Sequence, residues 1–395
     1  MLRPQVPAAI TAVAVCNALG ITRSAITQAL REGRSGLGPT RIEVPFPTAV
    51  GAIDVALPAL PEALSSWTTR TAQLAQLLLH EMAPGLSRLH ERVRPERIAI
   101  VLGTSTAGAD VTEDAYRVYV QTGKLPLDYD LWRHHTYGAI LRVVSELSCA
   151  KGPGWVVSTA CTSSAKPLAT AQRLLDSGLA DAVIAGGIDT LCGMTLRGFH
   201  CLDALAPAPC KPFSAERNGI SIGEGGALLL IERLADTPSE PLALLEAVGE
   251  SSDAYHISAP HPEGLGAEAA MARALRQAGV RPGDVDHVNA HGTGTRLNDS
   301  AEAKAIARLL GNEVPVVSTK GYTGHMLGGA GACEAVFGVI ALQEGWIPAS
   351  LGADPLDPAI SIRIPTTLTR GAFKRVLSNS FAFGGNNVSV LLRSP

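Results

Sequence analysis

Short apolar runs, each followed by a segment long enough for a helix, recur along this chain of 395 residues. Ile98–Leu102, Trp155–Val157, Asp181–Ala185, Ala227–Ile231, Val285–Asn289 and Val314–Ser318 read as strands. Regular alternation of this kind predicts a layered α/β architecture with mixed or parallel sheets. With 46% hydrophobic residues the chain can bury a large core, and its 40 glycines suit many tight strand-to-helix junctions. Met1-Leu-Arg3 with Ala8–Asn17 imitates a secretory leader, but a first buried strand explains the apolar stretch better. No run reaches the roughly 18 uninterrupted apolar residues of a spanning helix, which predicts no membrane insertion.

A formal charge of −3 offers no basic field for a polyanion, so nucleic acid is not an expected partner. Seven cysteines, an odd number without a C-x-x-C pair, form no disulfide framework and fit a reducing cytoplasm. Cys192, Cys201 and Cys210 are evenly spaced, yet a zinc site needs closer pairs, and His200 is the only added donor nearby. They read as small packing residues, and no metal is expected. Gly223-Glu-Gly-Gly226 is not a phosphate loop, because no G-x-x-x-x-G-K-[ST] pattern surrounds it.

Four separated segments carry chemistry-bearing residues. Val156-Val-Ser-Thr-Ala-Cys161 ends a strand, and the amphipathic stretch that follows runs to Gly178, placing Cys161 at a helix N-terminus where a thiolate would be favoured. His291 lies in His-Gly-Thr-Gly-Thr295 and His325 in Lys320-Gly-Tyr-Thr-Gly-His325, both beside glycines that allow close backbone approach. Lys320 and Glu334 are a candidate buried pair, since a desolvated ammonium needs a carboxylate. The fourth segment is Ser380-Phe-Ala-Phe383-Gly-Gly385. Taken alone, an isolated Cys after a strand or a lone His is more often packing than chemistry; the four segments together reverse that.

In order and wording these segments resemble the β-ketoacyl synthases, the thiolase-fold condensing enzymes of fatty acid and polyketide assembly. The resemblance covers nearly the whole chain. It implies a duplicated, thiolase-like α-β-α-β-α fold with mixed sheets, residues 1–240 carrying the nucleophile and 241–395 the histidines, lysine and gating loop. It also implies a ping-pong reaction in which Cys161 accepts an acyl chain from acyl carrier protein. Malonyl-carrier then decarboxylates, and its enolate attacks the acyl thioester. His291 and His325 would donate to the enolate oxygen, Lys320 and Glu334 would orient them, and the backbone N–H of Phe383 would join that of Cys161 in an oxyanion hole. Phe381, Ala382, Gly384 and Gly385 complete the gating loop, with Ala382 where the family often has glycine. Thr293 and Thr295 would hold the pantetheine arm, which belongs to the substrate, so no separate cofactor is implied.

Residues 107–147 read as an insertion which, by resemblance, forms part of a dimer face and acyl pocket, in a homodimer or a heterodimer with a chain-length-factor-like subunit. Arg117 and Lys124 are candidate carrier-docking cations. Asp253–His256 and the Lys211–Ser214 and Arg217–Gly226 stretches resemble segments near the pocket mouth. The wording around Cys161, Gly103–Gly108 and Leu297–Glu302 looks closest to elongating synthases of bacterial aryl polyene pathways, with housekeeping fatty acid synthases as near neighbours. A non-catalytic partner subunit would lack the nucleophile that Cys161 supplies. A degradative thiolase would use a second cysteine in a C-terminal Cys-x-Gly segment, where this chain has Phe383-Gly-Gly-Asn386.

Overall fold

The computed structural model describes residues 6–237 and 240–395; Met1-Leu-Arg3 of the leader-like stretch lies outside them. Ala8–Asn17 is the first strand, β1, and is almost wholly buried, as its apolar composition requires. Four more strands complete the first half: β2 (Ile98–Gly103), β3 (Gly154–Val157), β4 (Ala182–Asp189) and β5 (Gly225–Arg233). The second half supplies β6 (Ala243–Ser252), β7 (His287–Asn289), β8 (Val316–Val317), β9 (Arg375–Phe381) and β10 (Asn386–Arg393). β7 and β8 are shorter than the apolar runs suggest, because Val285 closes a 3-10 turn and β8 pairs through only two residues.

The duplication that the sequence similarity between halves cannot prove is plain in the topology. The first half has spatial order β1-β5-β4-β2-β3 and the second β6-β10-β9-β7-β8. Each strand of the first half corresponds to the one five places later. The directions agree as well: β1/β5 and β6/β10 are antiparallel, β5/β4 and β10/β9 antiparallel, and β4/β2, β2/β3, β9/β7 and β7/β8 parallel. The halves join where Ala8–Ile10 of β1 pairs with Ala243–Leu245 of β6, giving one continuous ten-stranded sheet.

Five layers result. Helices α1 (Arg70–His90) and α2 (Tyr137–Ser148) cover one outer face, and α4 (Leu265–Ala278) with α5 (Arg296–Leu310) cover the other. Between the sheet halves lie α3 (Lys166–Asp176) and α6 (Ala330–Glu344), which share one core with strands of both. The sequence of α6 explains its place: twelve of its fifteen residues are buried, so it has no polar face to offer water. Gly331 lets it approach closely, since a methyl there would sit 2.8 Å from the Ala165 Cβ. Each fully buried aliphatic side chain of this layer contributes about 1.5–3 kcal/mol.

The segment 107–147 is helical at Ala109–Thr122, Leu131–His134 and in α2. It leaves Tyr116, Val120, Leu127, Trp132 and Tyr137 exposed, next to an edge strand, β3, whose Trp155 is also exposed. Among the described residues no helix is long and apolar enough to cross a membrane.

Candidate active site

The four segments converge between the halves. Cys161 does not cap a helix directly: α3 begins at Lys166, and Cys161 heads a run of tight turns closed by bonds from Thr162 N–H to Thr159 O and from Ser163 N–H to Ala160 O. Ala160 takes φ 51°, a left-handed conformation that a residue with a Cβ rarely adopts without tertiary support. The support is visible. Ser163 Oγ accepts from Thr159 N–H at 2.9 Å, Ser164 N–H donates to Gly328 O at 2.9 Å, and Ala332 N–H donates to Ser164 Oγ at 2.9 Å. Gly103 at the end of β2 is needed here, because a Cβ would lie 2.1 Å from Ser163 O.

The expected preformed thiolate is not what this environment favours. Burial pushes the Cys161 thiol up to about 11, outweighing the pull of Lys320 and of the backbone N–H groups of Phe383 and Cys161 itself. Both histidines are held well below the ordinary imidazole value, first by burial and then by Lys320. At neutral pH the resting site is therefore a thiol beside two neutral imidazoles. His325 Nε2 lies 3.0 Å from Cys161 Sγ, and the two imidazole centroids are 5.1 Å apart at 83°.

The second half delivers the histidines from two loops. His291 follows β7, and Glu302 on α5 accepts from the N–H groups of His291 (2.9 Å) and Gly292 (2.8 Å) and from Asn379 Nδ2 (3.2 Å). Burial raises Glu302 to about 7 despite these donors. His325 follows the short Lys320–Thr323 helix and is tied to the loop before β5: its N–H donates to Ser221 O at 2.7 Å, and its carbonyl accepts from Gly223 N–H at 2.9 Å. Lys320 is fully buried. Its Nζ donates to Glu334 Oε1 and to His291 O, both at 2.5 Å, and reaches His291 Nδ1 at 3.4 Å. Burial pushes Glu334 up, while the Lys320 ammonium draws it back. Lys320 donating to Nδ1 leaves the His291 proton on Nε2. His325 Nδ1 has no hydrogen-bond partner among the described residues, so nothing fixes its tautomer.

The loop Phe381–Gly385 closes the site. Phe381 lies edge-on to His291 at 6.0 Å, and Phe383, partly exposed, packs on Phe199 at 5.6 Å. Ala382 has φ −117°, an extended conformation open to any residue, so its methyl introduces no strain. The freedom lies next door, where Gly384 (φ 81°) and Gly385 (φ 75°) are left-handed, and a Cβ on Gly385 would meet Asp253 at 3.0 Å.

A cavity of about 580 Å³ opens onto these groups. Cys161, His291, His325, Phe381, Ala382 and Phe383 line it, as do Thr293 and Thr295, whose hydroxyls are 2.9 Å apart. Thr295 also caps α5. Lys320 and Glu334 lie behind the histidines rather than in the cavity wall. Asp253 and His256 border the cavity, whereas Arg117 and Lys124 do not, and Arg117 pairs with Asp114 at 2.8 Å. The wall also contains Asn218 and Ile220 of the Arg217–Gly226 stretch, together with Phe199, Arg296 and Asn298, to which the sequence reading gave no site role. For Glu302 a signal existed: with Asp299 it forms an acidic pair three residues apart, facing inward among alanines of α5. The donor atoms of Cys161, His291 and His325 all lie within 4.8 Å of one another, a span one metal ion could bridge. The Lys320 ammonium beside His291 disfavours a second cation there.

The comparisons agree with this geometry. The family model described as Beta-ketoacyl synthase, N-terminal domain, matches residues 6–237, and that of the C-terminal domain matches 242–354. Nodulation protein E of Rhizobium meliloti (strain 1021) is 33% identical over 390 residues, covering 93% of this chain and 94% of that protein. The 3-oxoacyl-[acyl-carrier-protein] synthase 2 of Mycobacterium bovis is 33% identical over 405 residues, covering 96% and 95%. Among solved structures, a chain of the ketosynthase (ApeO) in complex with its chain length factor (ApeC) from Xenorhabdus doucetiae superposes with a TM-score of 0.92. It is 38% identical, with 99% of this chain and 98% of that chain covered.

Proposed function

From the premise that this chain belongs to the β-ketoacyl synthase family of acyltransferase-type condensing enzymes, we propose that it extends carrier-bound acyl chains by two carbons in aryl polyene or related polyketide assembly. The observation that carries the reaction is the meeting of Cys161 Sγ, His325 Nε2 and the Phe383 N–H at the floor of one cavity, with His291 alongside.

In loading, Cys161 attacks the carbonyl of an acyl-carrier thioester while its proton passes to His325 Nε2. The tetrahedral oxyanion is held by the Cys161 and Phe383 N–H groups, and the departing pantetheine thiolate takes the proton from His325. In condensation, malonyl-carrier loses CO2, and the enolate oxygen accepts from Nε2–H of His291 and of His325. The enolate carbon then attacks the acyl-Cys161 carbonyl, and Cys161 leaves as the thiolate to be reprotonated. His325 must accept a proton in the first stage and donate in the second, which the absence of a fixed Nδ1 partner permits. His291 needs only to donate, and Lys320 holds it in that form. No metal, nucleotide or separate cofactor enters either stage, and Thr293 and Thr295 hold the pantetheine arm.

The acyl carrier protein is the obligatory partner, and the enzyme works in the cytoplasm. The exposed apolar segment at 116–137 and edge strand β3 support a dimer, with a second copy or with a related chain-length-factor-like subunit. Intact-protein mass spectrometry tests the whole reading. The wild type and Cys161→Ala are mixed with saturated and polyenoyl carrier proteins, then with malonyl-carrier. An adduct on the wild type alone, released as a 3-oxoacyl-carrier two carbons longer, supports the reaction, and preferential loading of polyenoyl chains supports the pathway. Preference for saturated chains points to fatty acid elongation. Loading only after co-expression with a homologue means an obligate heterodimer, and no loading under any condition sinks the assignment.

A further inference from the structure

At the lip of the reaction cavity, next to the threonine pair, stands a cation with nothing to do inside the protein. Among the described residues Arg296 is the only lysine or arginine lining the cavity. It is exposed, and it forms no side-chain hydrogen bond and no ion pair among the described residues. Arg217, Arg233, Arg308 and Arg375, by contrast, hold carboxylates. Asp357, the acid close enough to feel Arg296, is occupied by the Ala359 N–H at 2.9 Å and by Arg217 at 2.5 Å. The cavity's own carboxylates are Asp203 and Asp253, and Asp253 accepts from Asn387 Nδ2 at 2.8 Å and His261 N–H at 3.2 Å.

We infer that Arg296 is a specificity-determining residue that binds the phosphate of the phosphopantetheine arm, distinguishing a carrier-borne thioester from one without a phosphate. The inference rests on the condensing reading above. Its logic is positional. The thioester must reach Cys161 at the buried end, the amides of the arm pass Thr293 and Thr295, and the phosphate is left where the cavity meets solvent, at Arg296. A guanidinium there offers a planar fork of donors to a phosphate without losing any internal partner. The side chain costs nothing to recruit, because it leaves no buried acid uncompensated.

The test compares two soluble thioesters differing by one group: acyl-phosphopantetheine and acyl-pantetheine, bearing the acyl chain that loads best in the carrier panel. Cys161 acylation is followed by mass to obtain kcat/KM for each. The wild type is expected to prefer the phosphorylated thioester by roughly 10-fold or more, the worth of one charge-assisted hydrogen bond lost. Arg296→Ala should bring the ratio near one, and Arg296→Lys should keep part of it. The preference of the wild type should also shrink at high salt. Both rates come from the same variant, so a general loss of folding lowers them together and leaves the ratio standing. A ratio that Arg296→Ala does not change overturns the inference, as does a wild type without preference. Slower loading from the intact carrier with an unchanged ratio would move Arg296 to the carrier's protein surface and equally overturn it. If neither soluble thioester acylates wild-type Cys161 although the carrier-borne chain does, the arm is not recognised apart from its carrier and the inference is overturned, whereas the condensing reading fails only if no carrier-borne chain loads under any condition.

Discussion

The loops that follow β2 and β7 occupy the same slot in the two halves of the sheet, yet one is an anchor and the other delivers chemistry. After β2, Thr104–Thr106 wrap around the fully buried Asp189 carboxylate. It accepts from Ser105 N–H (3.0 Å), Thr106 N–H (2.8 Å), Gly328 N–H (2.6 Å) and the hydroxyls of Thr104, Ser105 and Thr106 (each 2.6 Å). After β7, Glu302 plays the matching part, accepting two backbone N–H groups, but the loop it steadies carries His291 into the cavity. A second pair repeats the lesson: β3 leads to Cys161 before α3, and β8 leads to Lys320 and His325 before α6. Duplicated topology fixes where loops emerge, and the side chains on them decide what they do.

The sharpest way to break this comparison is at the two histidines. His325→Ala should lower Cys161 loading by about 10²–10⁴-fold, while His291→Ala should load readily and fail in condensation. Single-turnover loading followed by malonyl-carrier separates the two, and equal defects in both steps would refute the division of labour. Next in size is Lys320→Met, which strands a buried Glu334 and should destabilise the fold by about 3–5 kcal/mol in denaturant unfolding. Adding Glu334→Leu should recover much of that loss. On the anchoring side, Asp189→Ala leaves several buried donors without an acceptor and should cost at least about 3 kcal/mol. Glu302→Gln, which turns one of the two acceptor oxygens into an NH2 facing a backbone N–H, should destabilise the fold by about 1–3 kcal/mol and slow condensation by loosening the His291 loop.

A smaller effect separates a preformed thiolate from a thiol. With the Cys161 pKa raised to about 11, the thiolate fraction climbs with pH, so alkylation by iodoacetamide should still accelerate between pH 8 and 10. A plateau near pH 7 would mean that the thiolate forms at neutral pH after all. The smallest change is expected from Ala382→Gly, less than about twofold in either half-reaction, because φ −117° already suits alanine. A larger gain in rate would mean that the loop passes through a conformation alanine resists.

The residues singled out in the sequence, Cys161, His291, His325, Lys320 and the Phe381–Gly385 loop, come together in or directly behind one cavity. Glycines, small residues and polar groups at strand ends leave local patterns that survive in one dimension. The sequence reading misjudged the state of Cys161, because a helix start five residues later and complete burial depend on how α3 packs under α6. Arg296 fell between two quoted motifs, His291–Thr295 and Leu297–Glu302, without a role, because an arginine's solitude is a property of what surrounds it in space.

By itself, then, the sequence determined the layered α/β class, the strand-to-helix junctions and the residue types of the site, since backbone periodicity and turn chemistry are local. Only the tertiary structure decided that ten strands form two equivalent halves of one sheet, that the thiol and imidazoles rest neutral, and that Glu302 and Asp189 hold the loops. Those depend on desolvation and on hydrogen bonds between residues as far apart as Asp189 and Gly328, and no local pattern encodes which distant group removes the water.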